Sequence, residues 1–424
     1  MSEERKMILK MLEEGKITAD DANKLLEALE DKGLDESEDI LKNSKKADGF
    51  FDNVGEFVRK TVQSAVNTFT PNRNELDFSD DEFYQDDKDD EPEEVLHKSF
   101  STIKYIPENA QQIHLELQNA KIYVRKSDEN YSYVKISSDS DDIKNMFRVN
   151  QEGNYFAIIE REAEEKKVFA FTINTFMKNY KYIVELCIDN EEQFEKIKLS
   201  NDYGPIDLRN LNAKDITAYT DYGKISGAEI CTENLDVSTD AGTIKLKSVN
   251  CSTLNVDTDA GSIKLKAINS GDIKAEADAG AIELQNIKTG NIEASTNAGK
   301  VSCNDIITGA IFLESNAGSV MASYITADAI QMKSDAGSII IDNIKGKPTV
   351  IDASTNAGSI KANLNDINGM TVNAYLECNL GRVLYPNTFK EVESSNTRKQ
   401  IRKEDGIVEC NASLTTNFGS IKIY

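Results

Sequence analysis

The chain has 424 residues, with 49 Lys and Arg against 73 Asp and Glu, a formal net charge of −24. That balance excludes a general nucleic-acid binder, because a polyphosphate partner needs positive surface. With no Trp and two histidines, His97 and His114, a His-based metal centre or triad has almost nothing to build on, and six cysteines without a CxxC pair (Cys187, Cys231, Cys251, Cys303, Cys378, Cys410) write neither a zinc ribbon nor a disulfide scaffold.

Those cysteines are expected to be reduced thiols filling small sites. At the N-terminus charge returns at Lys10, Glu13 and Glu14 before any apolar signal region forms, and no stretch approaches the length of a membrane span. The expected location is therefore the cytoplasm, with peripheral membrane contact left open.

Residues 1–32 read as a helical hairpin. Ile8, Met11 and Leu12 share one face, Gly15-Lys16 breaks the pattern, and Thr18-Ala19-Asp20-Asp21 starts a second helix with Leu25, Leu26 and Leu29 on one stripe. Some thirty residues cannot bury enough surface to stand alone, so the hairpin is expected to dock on a copy of itself, on the chain or on a partner. Residues 33–95 read as a linker. Within it, 48–69 forms an amphipathic helix carrying Phe50, Phe51, Val54, Phe57 and Val58, and Thr70-Pro71 ends it. Core or oligomer packing and a membrane or partner groove both remain open for that stripe. Residues 75–94 hold twelve acids and one Lys, a run that repels itself and reads as a disordered spacer.

Residues 96–200 are strand-rich, with alternating segments such as Ile113-His114-Leu115-Glu116-Leu117, and are expected to form the N-terminal cap of a repeat region. His114 alternates away from the apolar face and is expected to face solvent.

Residues 201–424 carry the dominant signal, a triplet of Asp or Asn, a small or aromatic residue, and Gly. Its glycines are Gly204, Gly223, Gly242, Gly261, Gly280, Gly299, Gly318 and Gly337, all 19 residues apart; Gly358, Gly381 and Gly419 come next at gaps of 21, 23 and 38. In one copy Ile263 and Leu265 alternate with Lys264 and Lys266. Asn269-Ser270-Gly271-Asp272 is turn chemistry, and Ile273, Ala275 and Ala277 then alternate with Lys274 and Glu276. Nineteen residues thus make two short strands and two corners. Neither strand buries its face alone, so the fold class is mainly β, a parallel β-solenoid of about eleven coils and roughly 50 Å.

The triplets form a column of Asp221 and Gly223, Asp240 and Gly242, Asp259 and Gly261, Asp278 and Gly280, Asn297 and Gly299, Asn316 and Gly318, Asp335 and Gly337, Asn356 and Gly358. The expected role is structural: each Asx side chain accepts a backbone N–H two residues on, and Gly supplies φ > 0. A calcium column is the competing reading, and the Asn replacements weaken it. Lys245, Lys247, Lys264 and Lys266 are expected to form a two-by-two basic patch, either a solubilising ladder or a dock for an anion or acidic segment.

No P-loop, GxGxxG, HExxH or GxSxG motif is present. Ser101-Thr102-Ile103-Lys104, Ser295-Thr296-Asn297 and Lys288-Thr289-Gly290 superficially match a penicillin-recognising signature, but the repeat explains the last two. No catalytic residue, metal or cofactor is assigned.

The Asp/Asn-Ala-Gly-x-Ile units, the strand-rich preface and the ending Leu414-Thr415-Thr416-Asn417-Phe418-Gly419-Ser420-Ile421 resemble the bacterial "putative adhesin" β-strand-repeat family over residues 96–424. The opening Glu4-Arg5-Lys6-Met7-Ile8-Leu9-Lys10-Met11-Leu12-Glu13-Glu14-Gly15-Lys16-Ile17-Thr18 resembles the short helical domain of YvlB- and LiaX-type envelope-stress proteins. These resemblances imply a non-enzymatic scaffold or sensor in the cell-envelope stress response. It would dock through its N-terminal helices onto a membrane-associated protein partner and could form homo-oligomers. A cell-surface adhesin or binding protein and a self-assembling solenoid filament are the alternatives.

Overall fold

A computed structural model describes residues 100–161, 181–189 and 194–424. The hairpin, the 48–69 helix and the acidic run lie outside these residues, and so do the docking candidates Leu25, Leu26, Leu29, Phe50, Phe51, Val54, Phe57 and Val58.

Each repeat folds into two strands because its apolar residues recur at alternate positions. In Asp272–Ala279, Ile273, Ala275 and Ala277 are buried while Lys274 points outward. Eight-residue strands form a front ladder, in which Leu254, Ile273, Ile292, Ile311, Ile330 and Ile351 lie side by side in parallel register. Seven-residue strands such as Ile263–Asn269 form a back ladder, in which Ile225, Ile244, Ile263, Ile282, Val301, Val320 and Ile339 stack. A slip of one residue would turn every apolar column to solvent, so the inside–outside pattern fixes the register. The two ladders enclose one continuous apolar cluster running from Ile106 to Ile423.

The back strands break alternation once per coil. Glu229, Ser248, Ala267, Asn286, Asp305, Tyr324 and Asn343, like Asn210 before them, have φ between 50° and 58°. This left-handed residue lets the inward sequence run Ile263, Leu265, Ile268, a step of two and then of three.

The ends depart from chain order. Gln112–Lys126 is already a full coil, and it lies between the strands Tyr155–Glu160 and Tyr182–Ile188 on one side and Phe194–Tyr203 and Ile206–Tyr222 on the other. At the other end the coil after Val350–Ala357 is the C-terminal strand Val408–Ile423, and Met370–Leu384 stacks outside it. The spatial order of the last glycines is therefore Gly358, Gly419, Gly381. Antiparallel strands then cover both ends: Tyr133–Ser138 and Phe147–Glu152 at one, Arg398–Lys403 and Lys390–Ser394 at the other.

Candidate binding surface of the solenoid

At the Gly corner the chain passes very close to the preceding coil. A Cβ on Gly242 would lie 1.9 Å from the Gly223 carbonyl oxygen, and one on Gly261 would lie 1.7 Å from that of Gly242. Close approach therefore demands the glycine; φ is positive at Gly204, Gly280, Gly299, Gly381 and Gly419, from 126° to 159°, while the φ of 50° to 58° of the left-handed helical region sits on the non-glycine column of the back strands. The carbonyl brought so close is satisfied from inside. Thr239 Oγ1 donates to Gly223 O at 3.2 Å, Thr258 Oγ1 to Gly242 O at 3.3 Å, Thr296 Oγ1 to Gly280 O at 3.0 Å and Ser315 Oγ to Gly299 O at 2.8 Å. Asn201 takes this place in the first such coil, its Nδ2 donating to Ala120 O at 2.8 Å.

Where the outward Asp/Asn column holds asparagine, it bonds along the stack rather than to its own backbone, which corrects the expected capping role at those positions; the run Asp221, Asp240, Asp259 and Asp278 offers acceptors only. Asn297 Nδ2 donates to Asp278 Oδ1 at 2.8 Å, Asn316 Nδ2 to Asn297 Oδ1 at 2.8 Å and Asn356 Nδ2 to Asp335 Oδ1 at 3.0 Å. An in-register amide reaches its neighbour one coil away more easily than its own backbone. The hydroxyl column was missed in the sequence, although a Thr or Ser stands directly before most Asp/Asn positions at inward parity.

The four lysines do meet, Lys245 beside Lys264 and Lys247 beside Lys266. Lys245 and Lys266 are only 7% and 9% exposed, however, and Lys264 Nζ lies 3.5 Å from the Glu283 carboxylate. All four are engaged within the chain. His114 is likewise not solvent-facing. Its side chain is 17% exposed, Nδ1 lies 3.0 Å from the Tyr155 hydroxyl, and Nε2 is buried without a hydrogen bond. Burial, followed by Lys198, holds its pKa below the ordinary value of 6.5.

The described cysteines are all free. Burial pushes the Cys303 thiol up, and Cys410 up to about 11, so neither is poised as a nucleophile. Cys231, by contrast, is exposed rather than filling a small site.

The outer side of the front ladder carries a groove of about 390 Å³ that crosses five coils. One wall is the column of first residues, Thr253, Asp272, Asn291, Ala310 and Ala329; the other is the column of third residues, Asn255, Lys274, Glu293, Phe312 and Gln331. Asn291 Nδ2 donates to Asp272 Oδ1 at 2.8 Å and Asn255 Nδ2 to Asp236 Oδ1 at 2.7 Å. Lys274 Nζ pairs with the Glu276 carboxylate at 2.8 Å, and Lys333 Nζ sits 5.1 Å from the centre of the Phe312 ring. Beside the groove, burial and then the Glu276 and Asp259 carboxylates raise the pKa of Asp257. Phe312 and the two alanines interrupt an otherwise polar repeat, and this departure shapes the groove.

Residues 110–285 and again 268–376 match the family described as Toastrack DUF4097. The chain belongs to this family. Residues 3–33 match a SHOCT-like domain. No match to a curated protein was found. Among solved structures, the chain is similar to a "putative adhesin" from Bacteroides fragilis, 13% identical with a TM-score of 0.32 over 77% of this chain and 96% of that one. It is also similar to a "putative cell adhesion protein" from Clostridium sporogenes, 12% identical with a TM-score of 0.21 over 76% of this chain and 98% of that one. A "putative lipid binding protein" from Parabacteroides distasonis is 10% identical, with a TM-score of 0.32 over 76% of this chain and 96% of that one. In this chain the toastrack repeat is thus an in-register solenoid with its hydroxyl column inside and its amide column outside.

Proposed function

We propose that this toastrack protein is a non-enzymatic binding protein that presents the outer columns of its solenoid to a ligand at the cell surface, the adhesin alternative of the sequence reading. The observation that carries it is the outward face of the front ladder. There amides, carboxylates and an aromatic ring lie in register beside an open groove on a rigid, hydrogen-bonded scaffold. Among the described residues the chemistry-bearing groups bond to one another along the stack, and no nucleophile is set against a base. The stress-sensor reading drew on the resemblance of the repeat module together with the N-terminal helices, and no feature of the described residues favours it. A filament built by end-to-end stacking is opposed by the antiparallel strands over both ends.

Protease shaving of intact bacteria that express the protein tests the reading. Loss of the solenoid while a cytoplasmic marker is retained is the expected result; survival of the protein under conditions that strip known surface proteins would overturn surface display.

A further inference from the structure

The groove on the front ladder narrows the ligand class, an inference that rests on the proposed binding role. We propose that it binds a linear, uncharged, β-linked polysaccharide lying along the stack, with successive sugar rings over successive coils and Phe312 as the stacking platform. Parallel coils repeat about every 4.8 Å, and a ring in an extended pyranose chain advances by a similar distance. A periodic ligand therefore meets equivalent positions on Asp272, Asn291 and the coils to either side, which a single small molecule would not exploit.

The side-chain chemistry agrees. Planar amides donate and accept and carboxylates accept, so they can bond neighbouring hydroxyls in pairs; Asn255, Glu293 and Gln331 offer such groups along one wall and Asn291 on the other. Glu293 is exposed and stands in register beside Lys274, whose charge it senses, with its side chain on the groove. Phe312 is half-buried with the Lys333 ammonium against its ring; the rest of the ring gives the C–H face of a sugar an apolar surface, and Ala310 and Ala329 leave room beside it.

Charge argues against an anionic polymer. Lys274 is held by Glu276, Lys333 lies over Phe312, and the chain carries a net −24. An acyl chain fits poorly, because the open groove would set it against Asp272 and Glu293 without enclosing it.

The test is calorimetric titration of the full-length protein with cellohexaose and N-acetylchitohexaose, with their trisaccharides, and with a uronate hexasaccharide and an extended peptide as comparisons. Saturable binding of a neutral hexasaccharide is expected. It should weaken by roughly tenfold or more in the trisaccharide and in Phe312→Ala, the scale of one lost stacking contact at a binding centre. Glu293→Ala serves as a second variant, since an exposed side chain can be removed without disturbing the core, and an unchanged melting temperature confirms folding in both. Failure of both neutral hexasaccharides to bind, preference for the uronate or the peptide, or binding that ignores both variants would each overturn the groove assignment. Binding that ignores the variants leaves the broader binding reading standing, whereas a negative shaving result removes surface display without touching the groove.

Discussion

At the scale of single residues, the buried hydroxyl column shows how a repeat this regular satisfies its backbone. Thr258 is 1% exposed and is the hydroxyl donor to the Gly242 carbonyl. Thr258→Val is expected to destabilise the protein by about 1–3 kcal/mol, the cost of a buried acceptor left without its donor. The column also has a natural gap. Ala277 stands between Thr258 and Thr296 in register, and at its place no hydroxyl reaches the Gly261 carbonyl. Ala277→Thr should add about 1 kcal/mol, read as a higher denaturant midpoint; a lower midpoint would mean that the pocket cannot take the extra atoms.

His114 gives a second measurement at this scale, because its pKa is lowered by burial and Lys198, with Glu116 opposing and Lys196 adding to the effect. Below pH 6.5 the unfolded chain takes up a proton that the folded chain resists. The neutral His114 therefore contributes fully above 6.5, and stability falls as pH drops through the depressed folded value. Wild type should lose stability as the pH falls below about 6.5, and His114→Gln should lose less. Equal acid sensitivity in the two would mean that other groups govern the response.

Among the elements, the two ends are the most informative. Val408–Ile423 pairs with Val350–Ala357 on one side and with Met370–Leu384 on the other, so the last strand of the chain is an internal coil. Ending the chain at Ile407 removes that coil and bares two parallel edges, each a template for association. The shortened protein is expected to melt much earlier and to aggregate on sedimentation. A monomer that melts like the full chain would contradict the inserted position.

The gap of 38 residues between Gly381 and Gly419 disclosed an interruption, but not that the later glycine stacks first. Both orders satisfy the same local pattern, and only long-range pairing chooses between them. The bend in each back strand was legible in principle. The inward columns at Ile263 and Ile268 are five residues apart, an odd interval that strict alternation cannot bridge, and a left-handed residue such as Ala267 has to absorb it.

For the solenoid as a whole, stability comes from summed coil-to-coil contacts along one continuous core rather than from any central cluster. That core was legible because a strand pattern of period two, repeated every 19 residues, has one economical arrangement, with like positions stacked and apolar columns turned inward. The sequence by itself thus determined the solenoid, its register and its inward ladders, since hydrophobic periodicity and the Gly spacing act locally and repeat. It could not determine which outward residues act together. Lys245, Lys247, Lys264 and Lys266 form an open basic patch on the sequence pattern alone, but burial and the neighbouring Glu283 close it in the fold. Phe312, in contrast, is one outward residue among many along the chain, and gains a groove only where the small Ala310 and Ala329 lie next to it. Tertiary structure decided these points, because accessibility and neighbour chemistry depend on what lies one coil away in space, 19 or more residues away in the chain.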